Sequence, residues 1–203
     1  MSTPERIPPD LVKRLRDETG AGMMDCKRAL VETGGDFEKA RDLLRTRGLA
    51  SAQKRAGRLA SEGLVDAYIH GEGRIGVLVE INCETDFVAR TEEFRRLSRE
   101  VAMQIAALNP RWISRDEVPP DVIDGERKIY EERARGMGRP EKVIPQIVNG
   151  MLEAFYKEEV LLDQSYVREH DRTVGDLVSE VAAKVGENVV IRRFVRFELG
   201  RES

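Results

Sequence analysis

The chain has 203 residues, 40% of them apolar, which is enough for one medium domain or two small ones with an ordinary core. Charged residues make up 35% and nearly cancel to a net charge of −3, which argues against a protein specialised for nucleic acids or membranes. The only cysteines are Cys26 and Cys83, and there is neither an N-terminal export signal nor an apolar run of about 18 residues, so we expect a cytoplasmic protein without disulfides or a membrane segment.

The first predicted elements are three short helices. Apolar residues recur at helical spacing, Asp36 is placed as the N-cap of the third helix, and glycines 20, 34–35 and 48 mark the expected helix ends. We therefore predict a three-helix module over residues 1–50. Its size is close to the lower limit for independent folding and is typical of a binding unit.

A linker that can be partly helical is predicted over residues 51–62, where the side chains are small, polar and basic. Its basic run at 54–58 is interpreted as a hinge with solvated side chains, and an RNA contact is the alternative. Period-two alternation then predicts a β-hairpin, with strands at 65–69 and 75–81 around a turn at 71–74.

The remaining chain carries helices and a closing strand. Helical spacing and capping residues predict helices at 91–108, 121–136, 141–160 and 173–185. Alternation at 189–199 predicts the closing strand. The fold class is therefore α+β: the helical module precedes a core over residues 63–203, in which helices pack on a small antiparallel sheet.

The sequence offers little for catalysis. Residues 71–76 match the dinucleotide pattern G-x-G-x-x-G, but they lie in a hairpin turn, whereas that pattern must follow a strand and open a helix. No phosphate-binding P-loop is present, and neither His70 nor His170 is placed beside a nucleophile or a zinc-ligand cluster. His170 is expected in a solvated loop, and His70 is expected to be exposed at the rim of the sheet. We predict no cofactor, no metal and no covalent chemistry.

Two segments are candidate contact surfaces. Met23 and Met24 are adjacent at a predicted helix start and point about 100° apart, so a three-helix module can seldom bury both. An adaptable protein contact and the filling of an irregular core gap are both open for them. Arg16 either borders the same patch or is a solvated helix residue.

The second candidate follows the predicted hairpin, where Asp86 and Phe87 come after a small polar turn. An acid beside an aromatic residue at a loop tip indicates a probe that touches another protein. The alternative is local: Thr85 or Asp86 caps a helical turn, and Phe87 packs back on the protein with Val88.

Four segments resemble the translation elongation factor Ts family, whose members are guanine-nucleotide exchange factors for elongation factor Tu. These segments are residues 11–27, which include Thr-Gly-Ala-Gly-Met-Met-Asp-Cys-Lys, then Asn-Cys-Glu-Thr-Asp-Phe-Val-Ala-Arg at 82–90, Gly-Glu-Asn at 186–188 and Ile-Arg-Arg-Phe at 191–194. Many family members have two similar core halves. This chain has room for one, so it resembles the short form.

The resemblance implies a ubiquitin-associated-like helical module that docks on the nucleotide domain of elongation factor Tu, and a loop at 85–88 that reaches a helix beside the partner's magnesium site. The implied contact residues are Arg16, Met23, Met24, His70, Thr85, Asp86, Phe87 and Val88. It also implies a homodimer that carries two copies of elongation factor Tu, in which His70 presses on the partner's phosphate loop. We expect neither a direct nucleic-acid contact nor a membrane contact.

Three other functions are alternatives from the residues alone. A general adaptor would bind through residues 1–50 as tightly as through the whole chain. An RNA-associated factor would use the basic run at 54–58 and bind with a steep salt dependence. An enzyme would need a nucleophile, metal or cofactor constellation that the sequence does not display.

Overall fold

The computed structural model describes residues 7–201, so residues 1–6, on which the expected absence of an export signal depends, lie outside it. The helices are α1 (Pro9–Thr19), α2 (Met23–Glu32), α3 (Phe37–Arg55), α4 (Asp86–Ala89), α5 (Glu92–Leu108), α6 (Pro120–Gly136), α7 (Ile144–Glu159) and α8 (Val174–Val185). The strands are β1 (Glu62–His70), β2 (Ile75–Cys83), β3 (Ser165–Tyr166), β4 (Glu169–Thr173) and β5 (Val190–Glu198).

The fold is α+β, as predicted, with N-terminal helices followed by a core that contains a small antiparallel sheet. Strands β1, β2 and β5 form a three-stranded sheet in the order β1-β2-β5, and β3 pairs antiparallel with β4. The predicted hairpin is the β1–β2 pair, joined by the tight turn at 71–74. Among the described residues, no helix combines the length and apolar character needed to span a bilayer.

The chain divides into two compact units. The first contains the residues up to Gly63 together with Asn82–Phe94 and Val178–Val190. The second contains Leu64–Ile81, Arg95–Leu177 and the residues from Ile191 onward. The first unit therefore holds α1 to α3, the short α4 turn and the C-terminal part of α8, although these pieces are far apart in sequence.

Helices α1, α2 and α3 enclose a single apolar core, formed by Val12, Leu15, Cys26, Ala29, Leu30, Ala40 and Leu44. The predicted caps are confirmed. Gly20 ends α1 with φ 67°, a left-handed conformation that glycine adopts without strain, and its N–H donates to the carbonyl of Arg16. The carboxylate of Asp36 accepts from the Lys39 N–H at the start of α3.

The prediction that Gly48 ends the third helix was wrong, because α3 continues through it to Arg55. A β-carbon placed at Gly48 would lie 3.1 Å from the β-carbon of Ala183 in α8. The glycine therefore permits a close approach of two helices and does not mark a helix end. Arg45 of α3 pairs with Glu180 of α8 at 3.2 Å, which supports the same contact.

We predict that Gly48→Ala and Gly150→Ala have different effects on stability. Gly150 lies in α7 with open space around its Cα, so alanine there should raise the free energy of unfolding by about 0.5–1 kcal/mol through helix propensity. At Gly48 the crowding against Ala183 should cancel that gain or reverse it. Urea unfolding followed by circular dichroism measures both, and equal stabilisation by the two substitutions would show that α3 and α8 are not in tight contact.

In the second unit, helix α5 lies against the three-stranded sheet. The Arg99 guanidinium donates to the carbonyl of Ala67 in β1 at 2.9 Å, and that of Arg196 in β5 donates to the carbonyl of Ala106 at 3.2 and 3.3 Å. The β3–β4 hairpin was not predicted, and His170, expected in a loop, is an exposed residue of β4. The β3–β4 hairpin has a polar sequence, which lacks the apolar alternation by which a strand is recognised.

Candidate functional site

The segment after β2 forms one short helical turn, α4, with Thr85 as its N-cap. The Thr85 hydroxyl accepts from the Val88 N–H at 3.4 Å, and the turn is anchored by Ala89, which is buried. One half of the local alternative, a capped helical turn, is therefore confirmed. The cap fixes the direction in which the side chains of residues 86 and 87 leave the backbone.

The other half of that alternative is wrong, because Phe87 does not pack back on the protein: it is 79% exposed. Asp86 is half-buried, and its carboxylate pairs with Arg90 at 2.7 Å one turn later. Val88 is also half-buried. The turn thus presents an aromatic ring with almost no contact of its own, beside an acid that is already paired. A large apolar side chain exposed in this way is typical of a contact site.

The backbone just before α4 is held from a distance along the chain. The Glu187 carboxylate accepts hydrogen bonds from the N–H groups of Glu84 and Thr85, each at 3.0 Å, and from the Thr85 hydroxyl at 2.6 Å. In return, the Glu84 carboxylate accepts from the Asn188 N–H at 2.7 Å. Sequence analysis found Glu187 and Asn188 only as part of a family-like motif, and no local signal pointed to this pairing.

The first unit also carries the other candidate surface, at the start of α2. Met24 is 63% exposed and Met23 is also exposed, whereas Cys26 faces the core. The prediction that at least one methionine is exposed is confirmed, and neither fills a gap in the core. Arg16 is exposed on α1. Because all three side chains are exposed, they are available for an adaptable contact with another protein.

An open cleft of about 340 Å³ lies within the first unit. Its lining comes from the end of α1, from the segment around α4 and from the end of α8, and comprises Asp17, Glu18, Gly20, Val88, Thr91, Glu93, Lys184 and Val185. The residues that border it are sequence neighbours of Arg16 on one side and of Phe87 on the other. Of the predicted contact residues, only Val88 lines the cleft itself.

His70 belongs to the second unit. It is exposed at the end of β1, as predicted. Its ring stacks on that of Tyr68 with 5.9 Å between the centroids, and its Nδ1 shares a hydrogen bond of 3.1 Å with the Tyr68 hydroxyl. This arrangement leaves the Nε2 edge of the imidazole available to a partner.

The two cysteines are buried and unpaired with each other. Burial raises the pKa of the Cys83 thiol to about 11, and the negative charge of Glu187 adds to the effect. Burial likewise raises the pKa of Cys26. Both side chains are therefore neutral thiols at physiological pH. Over residues 7–201, no group of three or more His, Cys, Asp or Glu side chains is arranged to hold a metal ion.

We predict that both thiols react slowly with a thiol-exchange reagent in the folded protein. At pH 8 the raised pKa of Cys83 alone should lower its thiolate fraction about hundredfold relative to the unfolded chain. Colorimetric labelling with dithionitrobenzoate, with and without urea, measures the two rates. The Cys83 thiol donates to the Thr85 carbonyl at 3.2 Å, so fast labelling of Cys83 would mean that the segment before α4 opens readily.

Comparison with known proteins identifies the family. A family model described as elongation factor TS matches residues 50–201. An elongation factor Ts from Caldanaerobacter subterraneus subsp. tengcongensis is 61% identical over 189 residues, covering 93% of this chain and 94% of that protein. Proteins of the same name from Syntrophomonas wolfei and Coprothermobacter proteolyticus are 58% and 56% identical over 194 residues, which is 96% of this chain and 91% and 98% of theirs. These matches confirm the predicted family, and the chain belongs to the elongation factor Ts family of translation elongation factors.

Proposed function

We propose that this protein binds elongation factor Tu in its GDP-bound state and accelerates the release of GDP during translation elongation. It changes no covalent bond and so is an exchange factor, not an enzyme of covalent chemistry, and it acts in the cytoplasm. The observation that carries the proposal is Phe87, an aromatic ring that is 79% exposed on a turn whose backbone is held from both sides. Membership of the elongation factor Ts family names the partner.

The proposal includes two contacts with elongation factor Tu, one for docking and one for nucleotide release. Residues 1–50, a ubiquitin-associated-like module, dock on the nucleotide domain of elongation factor Tu through Arg16, Met23 and Met24. Residues 51–62 connect this module to the exchange and dimerisation core at 63–203. The exposure of all three docking side chains, and their place in the compact unit that also contains α4, support a single partner domain that meets both surfaces.

The segment Thr85–Val88 acts on the nucleotide site. Phe87 wedges between side chains of a partner helix beside the magnesium ion, and Asp86 reaches the same helix. Magnesium requires near-ideal octahedral ligands and bridges phosphate oxygens, so a small displacement of its surroundings weakens the binding of the ion and of GDP together. An aromatic wedge with no packing of its own can enter the partner without first leaving a core of this chain.

Thermodynamic linkage explains how the exchange factor is released from its partner. A factor that binds the nucleotide-free form of its partner better than the GDP-bound form must itself be released when nucleotide returns, because binding free energies are reciprocal. GTP, which is abundant in the cell, displaces it. The exchange factor therefore returns unchanged after each round.

The proposal includes a homodimer formed through the open face of the three-stranded sheet. The buried side chains of β2, Val77, Val79 and Ile81, alternate with Leu78, which is exposed. The exposed apolar side chains of β1 and β5 include Val65, Ile69, Val195 and Phe197. Gly76 and Ile69 approach each other on this face, and Glu80 pairs there with Arg193 at 2.7 Å. Several exposed apolar side chains on neighbouring strands are typical of a protein–protein interface.

Stopped-flow release of a fluorescent GDP from elongation factor Tu tests the proposed function. Excess unlabelled GDP is mixed with the loaded partner, with and without this protein, over a range of its concentrations. We expect the release rate to rise with concentration and to saturate. A folded protein that leaves the rate unchanged would exclude exchange, and binding without acceleration would favour the adaptor.

A further inference from the structure

Glu187 stands out among side chains to which the proposed function gives no role. It is half-buried after the end of α8, yet its carboxylate receives three hydrogen bonds from residues 84 and 85, more than one hundred positions earlier in the chain. Bonds to a carboxylate are stronger than bonds between neutral groups. All three come from the two residues immediately before α4.

The next residue extends this junction toward α3. The side-chain amide of Asn188, which is buried, donates to the carbonyls of Arg58 at 2.7 Å and of Ala56 at 3.3 Å, just beyond the end of α3. The Arg58 guanidinium lies 3.5 Å from the Glu84 carboxylate. Residues 187 and 188 therefore join the segment that carries Phe87 to the end of the helix that belongs to the docking module.

The α4 turn depends on these outside contacts. It has four residues, and an isolated helix of that length is unstable in water because nucleation costs more than one turn of hydrogen bonds returns. Thr85 caps the turn with an oxygen that also donates its proton to Glu187, so the same hydroxyl is oriented by both partners. The exposed ring of Phe87 contributes almost no packing to hold the turn in place.

We propose that Glu187 is a positioning residue for nucleotide exchange. It holds the backbone of residues 84 and 85 so that Phe87 is presented in one orientation before the partner arrives. Preorganisation of this kind removes an ordering cost that would otherwise be met in the transition to the nucleotide-free complex. The inference rests on the proposed exchange function, and it predicts that Glu187 acts through Thr85 and α4 without touching the partner.

Two substitutions of Glu187 distinguish its positioning of residues 84 and 85 from an effect of its negative charge. Glu187→Ala removes all three acceptor interactions. Glu187→Gln removes the charge but keeps an oxygen for the two N–H groups, and its amide can donate to the Thr85 hydroxyl, so the geometry should survive. We expect Glu187→Ala to lower the maximal rate of GDP release about tenfold or more, with a smaller change in the half-saturating concentration, because misplacement of a contacting group costs rate more than docking. Glu187→Gln should recover most of that rate.

Glu132→Ala, which removes an exposed glutamate of α6, is the matched control and should behave as wild type. Hydrogen exchange of the amides of Glu84 and Thr85 gives a readout that needs no partner: Glu187→Ala should speed their exchange, and Glu187→Gln should largely preserve protection. Thr85→Val removes one of the three bonds to Glu187 together with the cap bond from the Val88 N–H, and keeps the two backbone bonds; it provides a second test if Glu187→Ala proves poorly folded by circular dichroism.

Three results would overturn the inference. The first is an unchanged maximal rate in folded Glu187→Ala. The second is a loss of rate in Glu187→Gln as large as that in Glu187→Ala while the amides of residues 84 and 85 stay protected, which would mean that the charge itself meets the partner. The third is unchanged amide exchange at residues 84 and 85 in Glu187→Ala. Failure of the proposed function gives a different result, because the wild-type protein would then not accelerate GDP release. Amide exchange at residues 84 and 85 would still show whether Glu187 holds the turn.

Discussion

Replacing Phe87 with alanine is expected to remove most of the acceleration of GDP release while leaving the fold intact. The ring is 79% exposed, so its loss opens no cavity in this protein and should change the free energy of unfolding by less than about 0.5 kcal/mol. A central aromatic anchor of an interface contributes about 2 kcal/mol or more, which corresponds to a loss of roughly thirtyfold in rate at equal occupancy. Stopped-flow release of fluorescent GDP from elongation factor Tu, at saturating factor, measures this loss.

Control variants distinguish the effect of the Phe87 ring from the effect of removing any exposed apolar side chain. Ile129→Ala removes a comparably exposed apolar side chain from α6 and should leave the rate unchanged. Asp86→Ala should have a smaller effect than Phe87→Ala, since part of its charge is already engaged by Arg90 in the free protein. A Phe87→Ala variant as fast as wild type would remove the wedge from the mechanism, whereas a variant that no longer binds at all would assign the ring to docking.

The elements that sequence patterns located are those whose information is local. The β1–β2 hairpin, α5 and α8 have apolar periods of two or 3.6 residues bounded by turn or capping residues, and each was found within a few positions of its observed limits. Strands β3 and β4 are short and polar, and their pairing depends on residues outside the segment. Gly48 misled the prediction because a glycine at a close helix contact and a glycine at a helix end look alike in sequence.

The residues of the candidate site were predicted from the sequence, but their arrangement and the contacts between them were not. Local rules identified Thr85 as a possible cap and left the direction of Phe87 open, because exposure depends on what the rest of the chain places nearby. The partnership of Glu187 with Thr85 spans 102 positions, and no periodicity or motif encodes a contact at that separation. Structure was needed to show that the capped turn and the exposed ring, treated as alternatives, occur together.

Within the first unit, the arrangement of the two contact surfaces has a mechanical consequence. Met23, Met24 and Phe87 belong to the same compact unit, so a partner that docks on the two methionines as proposed is bound by the unit that also carries Phe87. Docking then raises the effective concentration of the wedge at its target, so the second contact costs little additional entropy. A pair of weak contacts arranged in this way favours fast exchange, since neither needs to be tight enough to slow the release of the factor.

Substituting Phe197 with glutamate is expected to convert the protein from a dimer to a monomer. The side chain is 62% exposed on the open sheet face, so the change is tolerated in a single chain, but in a dimer it would bury a carboxylate among apolar side chains. The penalty should weaken self-association at least about hundredfold, and the mass in solution should fall from twice 23.0 kDa to that of one chain at micromolar concentration. Sedimentation equilibrium measures both masses, and Ile129→Glu, the same change on an exposed site of α6, should remain dimeric.

The monomer also tests the part proposed for His70. If each elongation factor Tu is met by Phe87 of one chain and His70 of the other, Phe197→Glu should slow exchange, and His70→Ala should slow wild type but have no further effect in the Phe197→Glu background. Such non-additivity is the signature of two changes that remove one shared interaction. Equal effects of His70→Ala in both backgrounds would place His70 and Phe87 of the same chain on one partner, and a wild-type protein that is already monomeric would remove the sheet face from the proposed assembly.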